Sequence, residues 1–224
     1  MLADARQFLE VTLLAVAALL PIVNPIAGAS VFLQKTADLS GNDRRRTALR
    51  VARYGFALLL VSAFVGAYVL DFFGLSIPVV QVAGGLVVSS LGWTLLAQGT
   101  FVAEKARADA ATPTPDDLRS RAFFPLTMPL TVGPGSISVA ITLGANPPGN
   151  YRMLAVTLLA HAAGLAVVAL AIYLTYAKAD VVLRRLGTTG AVIVTRLSAF
   201  ILLCVGVQIV WNGMRALLLT LPVR

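Results

Sequence analysis

Charge is scarce in this sequence. Asp, Glu, Lys and Arg make up 12% of its 224 residues, about half of the roughly 25% carried by an ordinary soluble domain. That is too little polar surface to clothe a single core in water. There is one cysteine, Cys204, and one histidine, His161. Neither a disulfide framework within the chain nor a Cys/His zinc cluster can be built from them, because both need several ligands. No Ser/His/Asp triad, carboxylate pair or phosphate-cradling glycine loop can be assembled either. The chain therefore reads as a non-enzyme without metal or cofactor. The first apolar run has no Lys/Arg-rich start and many more runs follow it, so it is read as a retained span and not a removed signal.

What the sequence has is apolar length. Hydrophobic residues make up 58% of it and the mean hydropathy is +0.85. Windows of about 20 apolar residues, enough for a helix to cross hydrocarbon, fall at about 8–33, 51–73, 76–98, 122–144, 153–176 and 189–219. The runs are continuously apolar, without the alternation of barrel strands, so helices are implied. The expected fold is all-α: a polytopic membrane protein of six transmembrane helices.

The net charge of +8 does not line one soluble face, which argues against a nucleic-acid partner. Orientation in a bilayer accounts for it better. Thirteen of the eighteen Lys and Arg residues, among them Lys35, Arg44, Arg45, Arg46, Arg50, Arg53, Arg121 and Lys178, fall in the connections between spans one and two, three and four, and five and six. By the positive-inside rule these loops are cytoplasmic and both termini lie outside. The polar stretch at about 100–120, with Thr112, Pro113, Thr114 and Pro115, reads as a linker between two three-helix repeats, 1–99 and 121–224.

Three spans per half is an odd number, so two similar halves must lie upside down relative to each other. The first half opens with Pro21-Ile22-Val23-Asn24-Pro25-Ile26-Ala27-Gly28 inside its first span. The second opens with Pro129-Leu130-Thr131-Val132-Gly133-Pro134-Gly135-Ser136 inside its own. Pro25 matches Pro134, and Gly74-Leu75-Ser76 resembles Gly187-Thr188-Thr189. A mid-span proline lacks an N–H and its ring clashes with the carbonyl four residues back. In hydrocarbon each unsatisfied backbone group costs several kcal/mol, so such breaks survive where protein, water or ligand supplies the missing partner. The first and fourth helices are therefore expected to be broken. Their half-helix N-termini would attract anionic groups and their freed carbonyls would take cations. With no carboxylate or Lys nearby, the expected ligand has no net charge, and a zwitterionic amino acid fits. The expected binding residues are Asn24, Pro25, Gly28, Thr131, Gly133, Pro134, Gly135, Ser136 and Arg196. Arg196 would either meet a carboxylate or snorkel to the headgroups.

His161 lies mid-span, where it is a candidate for proton coupling or a bond to a neighbouring carbonyl. Gln81 and Gln208 would line a passage or bond between helices. Gly84, Gly85, Ser89 and Gly92 give the third span a small-residue face for close helix approach. Asp71, Trp93 and Trp211 fall near span ends, as interfacial anchors do.

Leu20 to Gly28, Ala83-Gly84-Gly85, Pro129 to Ile137, and Thr195-Arg196-Leu197 with Val207-Gln208 together resemble the MarC family of bacterial inner-membrane proteins over nearly the whole chain. The resemblance carries over Asn24, Pro25, Gly84, Gly85, Gly133, Pro134, Gly135 and Arg196 as motif positions. Some members of that family are described as small neutral amino acid transporters. The resemblance thus implies a secondary transporter in the inner membrane for glycine- or alanine-sized solutes, with proton drive as one option and homo-oligomers as another. Two departures stand out: Gln81 where the family commonly has Arg before Ala-Gly-Gly, and Gly92-Trp93-Thr94 where an Asp is common. The rival readings are an exporter of another small solute and a membrane scaffold that transports nothing.

Overall fold

The computed structural model describes residues 2–97, 121–145 and 151–219. The expected linker at 100–120 lies outside them. Every element in it is a helix: α1 (Leu2–Val23), α2 (Pro25–Lys35), α3 (Gly41–Phe72), α4 (Ile77–Ala97), α5 (Ala122–Thr131), α6 (Pro134–Gly144), α7 (Tyr151–Ala177) and α8 (Ala179–Leu218). Five are long and apolar enough to cross a membrane, over Asp4–Val23, Gly41–Phe72, Ile77–Thr94, Tyr151–Ala177 and Ala199–Leu218. The chain is a polytopic membrane protein. The segment expected as the fourth span is two short pieces, α5 and α6, neither of which could cross alone.

Local chemistry sets the ends of these elements. Ser40 caps α3, its Oγ accepting the Asp43 N–H at 3.2 Å while donating to the Asp43 carboxylate at 2.7 Å, so that one first-turn N–H is satisfied and a carboxylate sits at the positive end of the helix. α3 stops at Gly74, whose φ of +66° is open to a residue without Cβ. The Leu75 N–H then reaches back to the Leu70 carbonyl at 2.9 Å. Gly187 also has φ +66°, and there it bends α8 between its first two turns and the long apolar remainder. α3 begins ten residues before the apolar window at 51 because the Arg-rich stretch from Arg44 to Arg53 is helical too.

The longest packed seam joins α4 to α8, and it is built on glycine. A Cβ on Gly85 would lie 2.7 Å from the Val210 nitrogen, and one on Gly92 2.6 Å from the Leu203 nitrogen. Small residues let the backbones meet where lipid supplies no hydrophobic drive. The small-residue face of the third span is therefore a packing face. α1 runs beside α7, and α3 packs against α5, α6 and α7. Leu19, Phe32, Val51, Leu59, Val132, Leu165, Ile172 and Tyr176 form the core among them. Outside it, Leu9, Leu13, Val61, Val65, Leu86, Leu91, Trp93, Phe200 and Trp211 are exposed. Apolar surface of that extent belongs against acyl chains. Ion pairs mark the two ends of the bundle: Arg152 to Asp4 at 2.9 Å beside the starts of α7 and α1, and Arg121 to Asp38 at 3.2 Å where α5 begins and α2 has just ended.

Candidate functional site

Both expected breaks exist, and each follows from what stands before a proline. The first falls at Asn24, between α1 and α2, where φ is +44°. Asn is one of the few residues with a side chain that visits the left-handed region readily. Pro25 follows, buried, and cannot donate an N–H. The Asn24 N–H still reaches the Leu20 carbonyl and its own carbonyl accepts from Gly28, both at 3.0 Å, so the chain bends without coming apart. Pro21, inside α1, is tolerated without a break.

The second break is more extended. A residue before proline is pushed out of the α region by the ring. Phe124 and Met128, each preceding a proline, are extended at φ −124°, ψ 123° and φ −115°, ψ 124°. α5 is consequently wound wide, with bonds that span five residues: the Val132 N–H reaches the Thr127 carbonyl at 2.8 Å, and the Thr127 and Thr131 hydroxyls donate to the carbonyls of Ala122 and Leu126, each at 2.6 Å. These two buried threonine hydroxyls thus spend their protons on backbone carbonyls of their own segment, five residues back. Val132 and Gly133 are extended as well, and α6 starts at Pro134 with no side chain capping Gly133. The Ser136 hydroxyl donates to the Gly133 carbonyl at 2.9 Å. The uncapped start of α6 is thus a positive dipole end set inside the segment expected as the fourth span.

One buried side chain brings parts of the two breaks together. Tyr176, near the end of α7 and fully buried, lies so close to Gly28 that any Cβ there would overlap its hydroxyl. Its ring stacks on Phe32 of α2 with centroids 4.7 Å apart. Its oxygen is 2.9 Å from Thr131 Oγ1. Thr131 has given its only hydroxyl proton to the Leu126 carbonyl, so Tyr176 donates. Neither Tyr176 nor Phe32 was signalled by the sequence, where an aromatic near a span end reads as an interfacial anchor.

Of the expected site residues, Asn24, Pro25 and Gly28 form the first break and its following turn. Thr131, Gly133, Pro134, Gly135 and Ser136 form the second. Gly135 and Ser136 are buried and Pro134 is exposed; Gly135 packs so tightly on Val88 of α4 that a Cβ would collide with it. His161 is buried on α7, but fifteen residues of helix put it about 22 Å from Tyr176. Arg196 is exposed on α8, about one turn before Ala199, which with Leu203 faces Gly92. It is not part of the buried cluster. Gln208 bonds within its own helix, to Asn212 Oδ1 at 2.9 Å, rather than between helices. Gln81 does bond across, its Nε2 donating to Thr142 Oγ1 at 3.1 Å, beside the Ser138 hydroxyl that donates to the Val80 carbonyl at 3.1 Å. This α4–α6 link is not the only one there, so Gln81→Leu is expected to lower the melting temperature in detergent by no more than about 2 °C, consistent with the roughly 0.6 kcal/mol typical of interhelical bonds in membranes.

The description MarC family integral membrane protein matches residues 9–218 of this chain. The inner membrane protein MarC of Escherichia coli is 31% identical over 205 residues, covering 90% of this chain and 93% of that protein. The protein of the same name from Citrobacter koseri is 31% identical over 210 residues with the same coverage. No solved structure matches. With a family match across nearly the whole length and relatives above 30% identity, the chain belongs to the MarC family of integral membrane proteins.

Proposed function

We propose that this protein is a secondary transporter of small neutral solutes, most simply amino acids of glycine or alanine size, built from two inverted three-helix halves. The observation that carries the reading is the pair of backbone breaks, at Asn24 and at Val132–Gly133, which fall where the sequence matches Pro25 to Pro134. Interrupted helices at membrane depth are tolerated where they are buried in protein or line a cavity, and in inverted-repeat transporters they form the binding site. The carbonyl end of α1 and the uncapped N-terminus of α6 offer opposite partial charges, which suits a ligand carrying both an ammonium and a carboxylate.

The packing scheme supports the repeat. α2 packs on α7 as α6 packs on α3, α1 on α7 as α5 on α3, and α2 on α8 as α6 on α4, while α3–α7 and α4–α8 pair equivalent helices. The matched glycines Gly74 and Gly187 share the same φ of +66°. A two-fold axis in the membrane plane produces this set of pairings, and rocking one half against the other would give alternating access. The relatives are named inner membrane proteins. An inner-membrane location with both termini outside and the basic loops in the cytoplasm follows from that name and the positive-inside rule.

Purified protein in liposomes is expected to catalyse uptake or counterflow of glycine, alanine or serine, and the transported solute is expected to raise its melting temperature, because a ligand binding only the folded state stabilises it. Absence of flux together with absence of any thermal shift for these solutes would overturn the amino-acid reading. A shift with another small solute would redirect it to an exporter of that class.

A further inference from the structure

The two half-helices nearest the basic loops are α2, which ends at Lys35, and α5, which follows Arg121. The Arg121–Asp38 pair places their loop ends together. Tyr176 touches both half-helices: Gly28 and Phe32 of α2 on one side and, on the other, Thr131 at the end of α5 where the second break starts. Gly28 and Phe32 are one and two turns past Asn24 toward the basic loops. Phe32 and Tyr176 are fully buried and Thr131 nearly so. Tyr176 thus ties α2 to the end of α5 on the basic-loop side of Asn24.

We propose that Tyr176 is the positioning residue that closes the site toward the basic-loop face, its O–H to Thr131 acting as the latch and its stack on Phe32 as the door. The inference rests on the transporter reading for its biological sense, but the closure is a physical property of the bundle that can be measured without any substrate. A single neutral hydrogen bond is a suitable latch: its net worth is small enough for thermal opening, yet large enough to keep the closed form in the majority. Glycine at position 28 is what lets the tyrosine seat. The absent Cβ is the space its hydroxyl occupies.

The test uses the full chain in membrane vesicles of both orientations, with Cys204 replaced by Ser and Ser136→Cys as the reporter. Ser136 is buried in the first turn of α6, on the far side of the latch from the basic loops. The readout is the rate of labelling by a membrane-impermeant maleimide from each face. Tyr176→Phe keeps the ring and removes the latch, and it is expected to speed labelling from the basic-loop face about five-fold, the population change that one net hydrogen bond controls. Thr131→Val should do the same, and the double variant should add little. Tyr176→Ala should speed it further. Labelling from the opposite face should not change. Unchanged rates in Tyr176→Phe and Tyr176→Ala, or equal increases from both faces, would overturn the gate, the second outcome revealing general loosening instead. Neither outcome bears on whether the protein transports, which flux in liposomes decides separately.

Discussion

Replacing Gly206 with leucine is expected to leave no stable protein. Along the α4–α8 seam, glycines on each helix face backbone on the other. A Cβ at 206 would lie 2.5 Å from both the nitrogen and the hydroxyl of Ser89, and one at Gly213 would lie 2.7 Å from the Pro78 carbonyl oxygen. A flexible side-chain tip could swing aside, but a backbone atom inside a helix moves only with the helix. Gly206→Ala therefore already forces the two helices apart locally, at about 2 kcal/mol, and Gly206→Leu should exceed about 3 kcal/mol, beyond what a marginally stable fold withstands. Gly41 supplies the control. It sits in the first turn of α3 with nothing within 4 Å of an added Cβ, so Gly41→Ala should leave stability unchanged or raise it by about 0.5 kcal/mol. Yield of monodisperse protein and melting temperature in detergent measure both. A Gly206→Leu variant that melts like the wild type would mean that α4 and α8 do not meet as described.

How much of this was legible beforehand depends on the range of the physics involved. Proline acts on its own turn and the residue before it, so the breaks at Asn24 and Gly133 could be placed from sequence, and so could the packing role of Gly85 and Gly92. The same rule applied to Phe124-Pro125 and Met128-Pro129 signals the wide winding of α5 as well. Hydropathy windows report the length of hydrocarbon crossed and not the length of the helix. α3 therefore begins at Gly41 and α8 at Ala179, both earlier than their apolar stretches. Tyr176 was invisible for a different reason. Its role depends on a glycine 148 positions earlier and a threonine on a third helix, and nothing in the local sequence around it distinguishes a latch from an interfacial anchor.

Asn24 is where the backbone and side-chain contributions to the site can be separated. Its φ of +44° is natural for glycine, acceptable for asparagine and costly by about 1 kcal/mol for alanine. Asn24→Gly should therefore keep the bend between α1 and α2 while removing the amide. Asn24→Ala removes the same amide and also strains the bend. If the amide meets the solute, both variants should lose transport by at least about tenfold, the effect of leaving one polar partner of a bound ligand unsatisfied, and Asn24→Ala should melt earlier than Asn24→Gly. If the break alone is what matters, Asn24→Gly should transport as the wild type does. On the transporter reading proposed above, the carbonyls of α1 and the N-terminus of α6 supply only partial charges, so an orienting side chain would be needed to tell a small amino acid from water. The expected result is thus the first, a stable Asn24→Gly protein with little flux, and a fully active one would remove Asn24 from the binding residues while leaving the break in place.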